Sequence, residues 1–105
     1  MKFTLVKKDY QREYYEAPFV WKGVPVTAHV NMQYHTFLHY WGVSYYISYP
    51  SYYSTPPIKA ERFDGSTGRK DARKTAEKYM KSAKPSDVDK LDKFYQNEIL
   101  KSKIT

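Results

Sequence analysis

Apolar and polar positions alternate with a period of two through the first half of the chain, the spacing of strands that bury one face. Val24, Val26, Ala28, Val30 and Met32 alternate with Pro25, Thr27, His29, Asn31 and Gln33. The same pattern returns over residues 38–49. There Trp41, Val43, Tyr45, Ile47 and Tyr49 share one face, and Tyr40, Gly42, Ser44, Tyr46 and Ser48 share the other. The bulky set belongs in the core. The smaller, more polar set belongs outside it, with Tyr40 and Tyr46 standing out of it. Residues 3–7, 14–21 and 58–63 are shorter strand candidates. Pro18 cannot donate to a ladder, which puts the 14–21 strand at an edge. Lys22-Gly23 provides a tight turn into the next strand.

The period changes at Asp64-Gly65-Ser66-Thr67-Gly68, a turn that also offers helix N-cap side chains. Over residues 69–83, Ala72, Thr75, Ala76, Tyr79, Met80 and Ala83 gather on one side of a helical wheel. Lys84-Pro85 ends that helix. A second is expected over 87–101, started at Ser86 with Asp89 as capping-box partner. Its apolar stripe is Val88, Leu91, Phe94, Tyr95, Ile99 and Leu100. The expected fold is α+β: an antiparallel, aromatic-rich sheet of four to five strands over residues 1–63, followed by two helices packed on it. With no Gly/Ser linker and no repeat, residues 1–105 read as one domain.

Composition narrows the chemistry. The 105 residues contain no cysteine, which removes disulfides, thiolate metal sites and cysteine nucleophiles. The most apolar stretch is broken by His39, Ser44 and Ser48, and falls short of the ~20 residues of a spanning helix. A soluble, cytoplasmic protein without a membrane partner is the expectation. His29, His35 and His39 would share a face of one continuous strand, too far apart to hold one ion, so no metal or other cofactor is expected. No nucleophile elbow, phosphate-binding loop or zinc-protease motif is present, and an enzyme is not expected.

The formal net charge of +7 favours an anionic partner. It concentrates on the first helix, where Arg69, Lys70, Arg73, Lys74, Lys78 and Lys81 oppose the apolar stripe, as a phosphate-tracking face would. Exposed aromatics beside cations make stacking platforms for unpaired bases. Tyr40, Tyr46, Tyr52 and Tyr53 are the candidates. Nucleic-acid binding through these ten residues is the first expectation. The alternative is a protein-interaction module, such as a phage or plasmid accessory protein that inhibits a host defence complex, because tyrosine also anchors protein interfaces. A homodimer that covers part of the sheet is a further expectation.

Overall fold

The computed structural model describes residues 1–50 and 53–103. Six strands come first: β1 (Thr4–Lys8), β2 (Arg12–Trp21), β3 (Val24–His35), β4 (Tyr40–Tyr49), β5 (Tyr53–Ser54) and β6 (Lys59–Phe63). Two helices follow, α1 (Gly68–Ser82) and α2 (Lys93–Ser102), separated by a 3-10 helix over Pro85–Lys90. The strands form one antiparallel sheet in the order β1-β2-β3-β4, and β5 and β6 both pair with β4. This is the α+β arrangement that the change of period predicts.

Local chemistry accounts for the connections. Lys22 and Gly23 both have positive φ (47° and 79°), the two-residue turn whose twist matches antiparallel strands. β2 is an interior strand between β1 and β3, not the edge strand that Pro18 predicts, but β1 covers it only as far as the Thr4–Glu16 pair and leaves Pro18 without a neighbour on that side. The 38–49 strand begins two residues late, at Tyr40, because Thr36 to His39 form the hairpin tip and His39 takes a positive φ.

The alternating register sends one set of side chains from every long strand to the same face. Ala17 and Trp21 of β2, Val24, Val26, Ala28, Val30 and Met32 of β3, and Trp41, Val43, Tyr45 and Ile47 of β4 are all buried. α1 lies on this face through Ala72, Ala76 and Tyr79. Its first residue must be small: a Cβ on Gly68 would sit 3.0 Å from the Phe63 carbonyl oxygen and 3.2 Å from the Trp41 ring. Tyr79 donates to Glu61 (3.0 Å) and ties the far end of the helix to β6.

The single 87–101 helix of the sequence pattern is a correction. The chain makes a 3-10 helix, extends at Leu91 and Asp92, and restarts at Lys93. The break follows from polar groups drawn inward. Asp87 is buried and accepts from Tyr45 Oη (2.8 Å), the Lys84 backbone N–H (3.0 Å) and Lys90 Nζ (3.1 Å). The cap therefore joins Lys84 to Asp87, in place of Ser86 and Asp89. Asp89 instead accepts from Trp21 Nε1 (3.1 Å), and Gln96 donates to the carbonyls of Asp89 and Leu91 that the break frees. One consequence is that Phe94 leaves the expected stripe and is 64% exposed, while Val88 and Ile99 are fully buried. Among the described residues, no helix is long and apolar enough to cross a membrane.

Candidate nucleic-acid interface

Helical geometry divides the six basic residues of α1 into two groups. At about 100° per residue, Lys70, Lys74, Lys78 and Lys81 fall within an arc of about 80°, opposite Ala72, Ala76 and Tyr79. All four are exposed, and among the described residues none is within ion-pair distance of a carboxylate. They form a ridge facing away from the sheet.

Arg69 and Arg73 lie on the helix flank and turn toward β2. Both point at the buried carboxylate of Glu13: Arg73 hydrogen-bonds it, and Arg69 stands at 3.8 Å while lying over the Trp41 ring. Burial alone would raise the Glu13 carboxyl. Hydrogen bonds from Arg73 and Tyr15 outweigh it, so the carboxyl is held below its usual range and stays charged. These arginines anchor the helix with part of their charge spent internally.

The tyrosines occupy other places. Tyr40 and Tyr46 lie on the face of the sheet opposite α1, which none of the helices among the described residues covers. A single side of the molecule therefore does not present both the lysine ridge and these rings. Tyr40 packs between His35 (4.5 Å between ring centres) and the Arg62 guanidinium (4.3 Å). Tyr46 ends a column of rings in which Tyr14 stacks on His29 (5.5 Å) and His29 on Tyr46 (4.8 Å), with Arg12 over the outer face of Tyr14. Tyr53 is exposed beside Tyr49. Tyr52 lies outside the described residues.

His29 is buried at the centre of the column. Desolvation lowers its affinity for a proton, with the Glu16 carboxylate 3.9 Å away opposing only in part. Its Nδ1 hydrogen-bonds with the Tyr14 hydroxyl and its Nε2 with the Ser48 hydroxyl (2.5 Å), the ring tautomer setting the direction of each. Burial and the neighbouring Tyr46 and Glu16 hold the Tyr14 hydroxyl protonated far into the alkaline range. His35 and His39 lie at the hairpin tip, and among the described residues no group of three or more potential metal ligands converges.

Sequence reasoning missed Arg12, Gln33, Gly42 and Arg62 of the uncovered face. Arg12 and Arg62 are isolated cations in strand segments, outside any charge cluster, and Gly42 sits in an aromatic run. Only the register brings them together, in the cross-strand row Arg12–Gln33–Gly42–Arg62. Comparison with known protein families, curated proteins and solved structures finds no match to this chain.

Proposed function

We propose that this is a non-enzymatic nucleic-acid-binding protein that takes a phosphate backbone along the lysine ridge of α1. The observation that carries the reading is the unpaired state of Lys70, Lys74, Lys78 and Lys81 on one exposed arc. The first three repeat at intervals of four residues, about 6 Å along the axis. Flexible ammonium groups at regular intervals suit a backbone whose charges also repeat, and they carry no sequence information. Arg69 and Arg73 brace the helix that presents them.

A second reading rests on the β3–β4 hairpin tip, where Phe37 and Leu38 are 92% and 57% exposed. An apolar protrusion of this kind suits a protein partner, such as a host complex that the chain would inhibit.

Titration of the full chain with single- and double-stranded oligonucleotides at several salt concentrations tests the first reading. Replacing Lys70, Lys74 and Lys78 together by Gln should reduce the slope of log affinity against log salt by about two to three. An unchanged slope, or no oligonucleotide binding by the parent protein, refutes it.

A further inference from the structure

The uncovered face of the sheet carries a second feature, on the opposite side from the lysine ridge and independent of it. Along β4 this face reads Tyr40, Gly42, Ser44, Tyr46, so two small residues separate two ring clusters. Ala60 of β6 lies opposite Ser44, and the three small positions sink an open trough of about 420 Å³ into the face. That volume falls within the usual range for small-molecule sites. The Tyr40–His35 pair walls one end and the Tyr14–His29–Tyr46 column stands beyond the other.

The trough is lined by hydrogen-bonding groups. Gln33 of β3 and Arg62 of β6 flank Gly42 on its two sides. Asn31 donates to Gln33 Oε1 (3.2 Å) and accepts from Arg12 Nε (2.9 Å), which fixes the orientation of both amides. With its oxygen so engaged, the Gln33 amide keeps its two N–H donors to offer. Arg62 uses Nε and one terminal nitrogen on Asp64 (3.3 and 3.2 Å) and lies over the Tyr40 ring, which leaves its other terminal nitrogen to present.

We propose that this trough binds one nucleotide unit, its base over Ser44 and Ala60 with its edge against the Gln33 and Asn31 amides, and its phosphate on Arg62. Three features of the lining select that class. Oriented amides match the donor and acceptor edge of a heterocycle. Ser44 and Ala60 keep the floor low, whereas the His35 and Tyr40 rings already stand 3.2 and 3.4 Å from where a Cβ on Gly42 would lie, and a guanidinium at the rim suits a phosphate. An apolar peptide would leave the Gln33 N–H donors unpaired, and a bare anion would meet an uncharged floor. The unit can come from a free mononucleotide or from an unpaired position in a strand, since the recognised chemistry is the same.

Amide-resolved titration of the full chain tests the proposal, with the four nucleoside 5′-monophosphates, inorganic phosphate and a short single-stranded oligonucleotide as probes. The expected result is displacement of the Gln33, Gly42 and Ser44 resonances by at least one nucleotide and not by inorganic phosphate. Ser44→Leu, which fills the floor of the trough, should weaken this binding by about tenfold or more, or about 1.4 kcal/mol. Gln33→Ala, which removes the amide donors, should weaken it as well and serves if Ser44→Leu fails to fold. Displacement by the oligonucleotide alone assigns the site to a strand, and displacement by mononucleotides as well assigns it to free nucleotides. The variant lacking Lys70, Lys74 and Lys78 should leave the mononucleotide response unchanged, so failure of the lysine ridge and failure of the trough are separable. If inorganic phosphate produces the same displacements, or if no probe moves these resonances, the proposal is overturned.

Discussion

Arg73 of α1 hydrogen-bonds the buried carboxylate of Glu13 on β2, a contact between residues sixty positions apart that fixes the helix across the sheet. Removing one partner of such a pair leaves a desolvated charge, which costs more than the pair itself contributes. Arg73→Gln should therefore destabilise the fold by about 1–3 kcal/mol. The lower part of that range is favoured because the Arg73 side chain is 43% exposed and Arg69 remains 3.8 Å from the carboxylate. Glu13→Gln should cost less than Arg73→Gln, since it removes the buried charge itself. Urea denaturation of the two variants and the double variant checks the ordering.

A second tie holds the C-terminal segment. Tyr45 is fully buried on β4 and donates to Asp87, whose carboxylate faces the sheet from the 3-10 helix. Tyr45→Phe keeps the ring and deletes one donor, at an expected cost of about 1–2 kcal/mol. Asp87→Ala removes the acceptor shared by Tyr45, Lys84 and Lys90, and should cost more. Equal losses in the two variants would show that Asp87 contributes only through Tyr45.

The two faces of β3 and β4 were legible in the sequence because period-two patterning is a local property. Val24 to Met32 and Trp41 to Ile47 are buried as their alternation requires. The stripe of α1 was legible for the same reason, and the helix lies within one residue of its expected ends. Asp87 shows where local reading stops. A carboxylate two residues after a proline resembles a solvated cap residue until Tyr45 is placed above it by tertiary packing. Arg69 and Arg73 looked equivalent to the four lysines because a helical wheel has no knowledge of Glu13 at its flank. The row Arg12–Gln33–Gly42–Arg62 was invisible because it crosses four strands, and register is set by the whole sheet.

The helix break predicts unequal contributions from the expected stripe of the second helix. Ile99 is fully buried in the core, so Ile99→Ala should cost about 2–4 kcal/mol. Leu91 lies in the extended linker and is only half-buried, so Leu91→Ala should cost less. Phe94→Ala should change stability by only about 0.5 kcal/mol, because Phe94 is 64% exposed and its ring packs edge-on against its neighbour Tyr95 rather than into the core. Thermal denaturation of the three variants ranks them directly.

Acid should destabilise the fold in two stages. In the folded protein His29 binds a proton less readily than its ordinary value of 6.5, because burial disfavours the imidazolium. The unfolded chain therefore takes up that proton first, and the stability this group contributes is complete above about pH 6.5 and declines as the pH falls below it. Glu13 and Asp87 act lower on the scale. Burial raises each carboxyl, but hydrogen bonds to the charged form outweigh it, and both fall below their ordinary values of 4.5 and 3.8. Their contributions are present above those values and are lost as the pH drops through the folded ones. The urea midpoint should thus decline modestly between pH 7 and pH 5, then more steeply below about pH 4.5. His29→Gln removes the titrating imidazole, so whatever its cost at neutral pH, it should abolish the first decline and leave the second. A first decline that survives in His29→Gln would assign it to a group outside the Tyr14–His29–Tyr46 column.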